Sequence, residues 1–147
     1  MTRKTIDELL AEARSRLQRL EPEEALAAQR LGALLVDTRS HDERRREGII
    51  PRSLHIPRSV LEWRLDPDAD PAYRSPYVGG LDERIVLVCA HGFSTSLAAA
   101  TLQDLGFTRA TDVIGGFTAW KERGLPVRSA PTVADDEVPG LGPPDPG

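Results

Sequence analysis

The segment IVLVCAHGFSTSLAAATLQDLGF, residues 85–107, carries the only cysteine of the 147-residue chain. Cys89 follows the apolar run 85–88, and a short loop containing Gly92 leads from it into residues of helical spacing. A thiol placed just before a helix N-terminus meets unpaired backbone N–H groups and the positive end of the helix dipole. Both favour the anion and lower the thiol pKa. Gly92 lets the loop curl so that several N–H groups converge. Ser94, Thr95 and Ser96 either cap the helix or offer hydroxyl hydrogen bonds to a sulfur anion. Such a cradle suits a thiolate, and also the persulfide formed when a thiolate accepts a sulfur atom. The opposing reading is a small buried hydrophobe, the usual role of a free cysteine. The loop residues alone leave both open.

Other candidates for chemistry fall away. His41, His55 and His91 are far apart and lack metal-ligand spacing, so no metal site is expected. Gly115-Gly116 reads as a turn and not as a dinucleotide fingerprint. Asp37 ends an apolar run, where pairing with Arg39, capping the next helix or touching the Cys89 loop all remain open. Trp63 and Trp120 read as core or pocket-rim residues. The net charge of −4 argues against a nucleic-acid partner. The single basic run, Arg44-Arg45-Arg46, reads as a solvated helix face. A lone cysteine allows no internal disulfide. The start, MTRKTIDELLAEARSRL, has no apolar signal region, and no stretch is long and apolar enough to span a bilayer. A cytoplasmic location without membrane contact is expected.

The elements that must position Cys89 follow from periodicity. Residues 5–20 read as an amphipathic helix opened by a Thr5/Glu8 capping box, with Ile6, Leu9, Leu10, Ala13, Leu17 and Leu20 on one stripe. Pro22 opens a second helix carrying Ala25, Leu26 and Ala28, ended near Gly32. ALLVD (33–37) reads as a buried strand, residues 38–48 hold a short helix stopped near Gly48, and LHIP (54–57) reads as a strand closed by Pro57. Ser59 and Glu62 predict another capping box. Residues 66–80, with Pro67, Pro71, Pro76 and a Gly pair, form a surface loop. Strand 84–88 precedes a helix with Leu97, Ala98, Thr101, Leu102 and Leu105 at helical spacing, ended at Gly106. ATDVI (110–114) is a further strand, and FTAWKER a last helix ending at Gly124. Strands alternating with helices mean an α/β domain with a mostly parallel central sheet flanked by helices on both faces. Residues 1–20 then form an N-terminal helical extension, 21–128 the domain, and 129–147 a disordered Pro/Gly/Asp-rich tail.

The stretch CAHGFSTSLAAATLQDLGFTRATDVIGGFTAWKERGLPV resembles the active-site half of the rhodanese, or sulfurtransferase, family. Its loop has the C-x-x-G-x-x form, here Cys89-Ala90-His91-Gly92-Phe93-Ser94, and GGFTAW and GLPV match the family's later motifs. LLVDTRSHDERRREGIIPRSLHIP resembles its first half, with Asp37, Arg39, Gly48, Pro51 and Pro57 in place. The family's His after Gly is Ile49 here, and its Gly after Pro is Arg52. The resemblance covers about residues 24–127.

The resemblance implies the rhodanese-like fold and a persulfide on Cys89 as catalytic intermediate. Ala90, His91, Gly92, Phe93, Ser94 and Thr95 would bind the donor, their N–H groups holding the sulfur anion. The partners implied are a small-molecule sulfur donor such as thiosulfate and an external acceptor: cyanide, a thiol or a protein. No cofactor is needed. The loop carries no Arg or Lys, which many thiosulfate-using members have, and His91 is its only potentially cationic side chain. A related cysteine-loop phosphatase needs C-x5-R, but Thr95 stands where that Arg would be. A non-catalytic binding module of the same family is the alternative, against which the intact Cys89–Ser96 loop speaks.

Overall fold

The computed structural model describes residues 2–131; the expected tail lies outside the described residues from position 132 on. Four strands, β1 (Leu34–Asp37), β2 (Leu54–His55), β3 (Ile85–Val88) and β4 (Thr111–Asp112), form one all-parallel sheet in the order β2-β1-β3-β4. Six α-helices accompany them among the described residues: α1 (Ile6–Ser15), α2 (Pro22–Arg30), α3 (His41–Glu47), α4 (Leu61–Leu65), α5 (Ser94–Asp104) and α6 (Gly116–Glu122).

Side chains alternate across the pleat, so each strand feeds two cores. Leu34, Val36, Ile85 and Leu87 pack with Leu61 and Leu65 of α4 and with Ala98 and Leu102 of α5. Leu35, Val86 and Val88 pack on the other side with Ala25 and Ala28 of α2 and with Phe117 and Trp120 of α6. Helices therefore cover both faces. The two central strands read as continuous apolar runs because both of their faces are buried.

The register aligns Asp37 with Val88. The next residues, Thr38 and Cys89, thus emerge together at the carboxyl ends of β1 and β3. The Thr38 N–H donates to the Val88 carbonyl at 2.8 Å. This is the edge of an open α/β sheet at which ligands bind.

Two local expectations are corrected. The first helix keeps its Thr5/Glu8 capping box but ends at Ser15, not at residue 20. Leu20 instead extends β4: its N–H donates to the Asp112 carbonyl at 3.0 Å, and its own carbonyl accepts from the Ile114 N–H at 2.8 Å. Ile6 and Leu9 stay exposed, and of the expected stripe Ala13 and Leu20 are buried. The Ser59/Glu62 box does not form. A 3-10 turn over Arg58–Val60 precedes α4, and Glu62 is taken by Arg58 in a fork at 2.9 and 3.0 Å. Thr101 is exposed, its hydroxyl turned back to the Leu97 carbonyl.

Among the described residues no helix is long and apolar enough to cross a membrane.

Candidate active site

Cys89 lies at the floor of a cleft of about 270 Å³ lined by Glu43, Ala90, His91, Phe93 and Ser94 together with Thr38 and Arg39. Its sulfur accepts the Gly92 N–H at 3.2 Å and lies 3.3 Å from the Thr95 hydroxyl. Burial pushes the thiol up. Hydrogen bonds from the hydroxyl and N–H of Thr95, the Ser94 hydroxyl and the Gly92 N–H outweigh it, bringing the thiol below its ordinary value. The donors that converge on the sulfur favour its anionic form over the neutral thiol.

The loop is built from two glycine contacts. Gly92 has φ +81°, and a Cβ there would stand 2.9 Å from the Val113 carbonyl oxygen and 2.9 Å from the Gly115 nitrogen. Gly116 has φ +60°, and any Cβ on it would collide with the Cys89 carbonyl and the Ala90 backbone. The Gly115-Gly116 turn thus brings the start of α6 against the loop. Phe117 N–H donates to the Cys89 carbonyl at 2.8 Å and Thr118 N–H to the Ala90 carbonyl at 3.1 Å. With the carbonyls turned toward α6, the Gly92 N–H is left to face the sulfur.

Of the six residues expected to bind substrate, Ala90, His91, Phe93 and Ser94 line the cleft. Gly92 and Thr95 contact the sulfur instead. His91 is exposed, its Nδ1 3.3 Å from the Thr118 hydroxyl. No side-chain cap forms at the start of α5; its three hydroxyl residues serve other purposes. The Thr95 hydroxyl donates to Asp112 Oδ2 at 2.9 Å, and the Ser96 hydroxyl donates to the same oxygen at 2.8 Å.

Asp112, fully buried, is a site residue that sequence reasoning missed. Arg19 holds it with Nε 2.8 Å from Oδ1 and Nη2 3.3 Å from Oδ2. Thr95 has one hydroxyl proton. Once Cys89 is a thiolate, that proton has two anionic acceptors, the sulfur and Asp112. Arg19 and Ser96 keep Asp112 satisfied when Thr95 turns to the sulfur. The signal for Asp112 was present in the sequence: a carboxylate inside a buried strand requires a cation and hydrogen-bond donors.

A second buried ion cluster sets the neighbouring strand end. Asp37 pairs with Arg39 at 2.8 Å and with Arg44 at 3.1 Å, all three nearly inaccessible to water. Pairing is thus the outcome for Asp37, which does not contact the Cys89 sulfur. The expectation of a solvated Arg44-Arg45-Arg46 face holds for Arg45 and Arg46, which are exposed, and is corrected for Arg44, which points inward as the partner of Asp37. Arg39 stacks over the Phe117 ring at 3.8 Å from its centroid and joins β1 to α6. Trp120 is buried, its indole N–H on the Pro126 carbonyl at 2.9 Å, whereas Trp63 is exposed. His55 is buried against the Arg39 carbonyl at 2.8 Å.

The family model for the rhodanese-like domain matches residues 21–123. The chain belongs to the rhodanese-like family. Relatives of this rhodanese-like chain include the thiosulfate sulfurtransferase GlpE of Pseudomonas syringae, 34% identical over 105 residues, 71% of this chain and 87% of that protein. A solved structure from Rhodopseudomonas palustris, of unknown function and called a possible tyrosine phosphatase, superposes with TM-score 0.77 at 34% identity. It covers 87% of this chain and 97% of its own. The human single-domain sulfurtransferase TSTD1 superposes with TM-score 0.58 at 29% identity, covering 71% of this chain and 96% of its own.

Two family departures have a structural meaning. Ile49, where the family has His, is buried, and its backbone bridges to Arg128 at 2.8 and 3.0 Å. Arg52, where the family has Gly, has φ +65° and is the one non-glycine residue with positive φ among those described. The rhodanese-like backbone thus keeps a left-handed turn that its residue disfavours.

Proposed function

We propose that this chain is a thiosulfate-type sulfurtransferase working through a persulfide on Cys89. The Cys89 thiolate attacks the outer sulfur of the donor. A new S–S bond forms, the old one breaks, and its electron pair leaves with sulfite when the donor is thiosulfate. The persulfide anion inherits the Gly92 N–H and the Thr95 hydroxyl. An acceptor then attacks the outer sulfur and returns Cys89 to the thiolate; cyanide would leave as thiocyanate. The chain has one cysteine, so the acceptor comes from outside, as a thiol or a protein. Ala90, His91, Phe93 and Ser94 would hold the donor in the cleft. A lone reactive thiol of this kind suits a reducing compartment, and the cytoplasm is part of the same proposal.

The observation that carries this reading is the donor set around the Cys89 sulfur at the floor of the cleft, 3.2 Å from the Gly92 nitrogen and 3.3 Å from the Thr95 hydroxyl. The name of the Rhodopseudomonas relative raises phosphate-ester hydrolysis as a second reading. That chemistry needs an Arg fork at the sixth residue after the cysteine. Thr95 occupies the place with its hydroxyl committed to Cys89 and Asp112.

The test is a turnover assay with thiosulfate, mercaptopyruvate and an aryl phosphate offered separately, cyanide being the acceptor for the two sulfur donors. Thiocyanate formed from thiosulfate and abolished in Cys89→Ser supports the proposal. Aryl phosphate hydrolysis without thiocyanate supports the second reading. No turnover of any donor favours a binding module.

A further inference from the structure

The family match begins at residue 21, so the segment that carries Arg14 and Arg19 precedes it. Both side chains nevertheless reach the Cys89 loop. Arg14 donates from Nη2 to the Gly92 carbonyl at 2.8 Å and from Nε to the Ser96 hydroxyl at 3.1 Å. Its guanidinium carbon lies 5.5 Å from the centre of the Phe93 ring. Arg19 donates to the same Gly92 carbonyl at 3.0 Å while pairing with Asp112. Gly92 is therefore held on both sides: two guanidinium groups take its carbonyl, and its N–H faces the sulfur.

We propose that Arg14 and Arg19 are positioning residues of the sulfur-transfer site, locking Gly92 in its left-handed turn and supplying the cationic charge that the loop's own residues lack. This rests on the sulfurtransferase reading above.

The charges around the loop support the proposal. Outside the cleft lining stand two guanidinium groups and one carboxylate, Asp112, which leaves one positive charge in excess. One thiolate or persulfide anion balances it. On the cleft side, Glu43 and His91 stand at the lining, and Arg39 is already paired with Asp37. Burial and the like charge of Arg19 lower the Arg14 pKa, while Asp112 and Cys89 pull it the other way. A guanidinium stays protonated at any working pH. Gly92 could leave its φ of +81° only by giving up two charge-assisted hydrogen bonds on its carbonyl. The segment thus acts on the sulfur through Gly92 and through its field, without touching the donor.

The experiment uses the full chain and iodoacetamide as the probe. The alkylation rate of Cys89 is followed against pH for wild type, Arg14→Met, Arg14→Lys and Arg16→Gln. Arg19→Met would strand buried Asp112 without its cation, so Arg14 is the residue to change. Arg16 anchors the same segment to α5, through the Ala100 carbonyl at 3.1 Å and Asp104 at 2.6 Å, with no contact to the loop. Arg14→Met is expected to move the alkylation midpoint up by about one pH unit and to slow alkylation below the midpoint about tenfold. Arg14→Lys restores most of that because the charge is kept. Arg16→Gln leaves the midpoint in place even where it lowers the melting temperature. An Arg14→Met profile that overlays wild type, or an Arg16→Gln midpoint displaced equally far, overturns the proposal. Thiosulfate loading of wild type, read by intact mass on the same samples, separates the two readings. Loading with an unmoved Arg14→Met midpoint sinks the arginine role alone. A moved midpoint with no donor able to load Cys89 sinks the sulfurtransferase reading alone.

Discussion

Removing the Thr95 hydroxyl tests how the thiolate is held. Thr95→Val keeps the shape of the side chain and deletes the one hydroxyl, 3.3 Å from the Cys89 sulfur and 2.9 Å from Asp112 Oδ2. A hydrogen bond to a charged acceptor is worth about 1.5–3 kcal/mol. Part of that is offset, because Thr95 releases Asp112 when it turns to the sulfur. Asp112 keeps both Arg19 contacts and the Ser96 hydroxyl at 2.8 Å, so losing one further donor costs about 0.5–1 kcal/mol. The net preference for the thiolate is then about 1–2 kcal/mol, or about one pH unit at 1.36 kcal/mol per unit. The wild-type thiol titrates below its ordinary value. Activity therefore rises with pH through a midpoint below that of an ordinary thiol, and in Thr95→Val that midpoint moves upward. Below the midpoint, both alkylation by iodoacetamide and sulfur transfer fall about tenfold, while rates well above it converge with wild type. Asp112→Asn changes the same balance with the opposite sign. It removes a nearby anion and the competitor for the Thr95 proton, so its midpoint moves down although the protein is less stable. A Thr95→Val profile superimposed on wild type, or Thr95→Val and Asp112→Asn moving together, would refute this reasoning.

Three further substitutions probe the scaffold. Gly92→Ala places a Cβ 2.9 Å from two backbone atoms at a φ of +81°; left-handed backbone alone costs about 1–2 kcal/mol, and thiocyanate formation should fall by at least about tenfold with a lower melting temperature. Arg52→Gly relieves a φ of +65° and is expected to stabilise the fold by about 0.5–1 kcal/mol net of the added freedom of the unfolded chain, read as a melting temperature about 3 °C higher with unchanged turnover. Asp37→Ala removes the carboxylate shared by buried Arg39 and Arg44, leaves Arg39 its longer pairing with Glu47 at 3.6 Å, and should cost about 3 kcal/mol in urea denaturation.

Strands β1 and β3 were legible because an apolar run closed by polar residues has few other uses in a chain of this composition. The Cys89 loop was legible from its glycine and from the helix that follows it. Helix starts were less so. Thr5 and Glu8 form the box that their spacing predicts, whereas Glu62 is captured by Arg58, one turn earlier on its own segment. The end of α1 misled because Leu17 and Leu20 fit a helical stripe, yet Leu20 gains more by pairing with β4. The carboxylate of Asp112 stood out inside its strand, but the arginines that meet it and the Cys89 loop, Arg19 and Arg14, were hidden for another reason. Their meeting joins the N-terminal segment to a strand near the other end of the chain, and no local pattern encodes such a contact. The same holds for Arg44, whose inward side chain meets Asp37 across the turn that follows β1.

The most direct measurement is the intact mass of the full chain after incubation with thiosulfate, with and without cyanide. Persulfide chemistry at Cys89 predicts a gain of one sulfur atom, reversed by cyanide and missing in Cys89→Ser. An unchanged mass with thiosulfate and with every other sulfane donor, or a sulfur retained in Cys89→Ser, would contradict it.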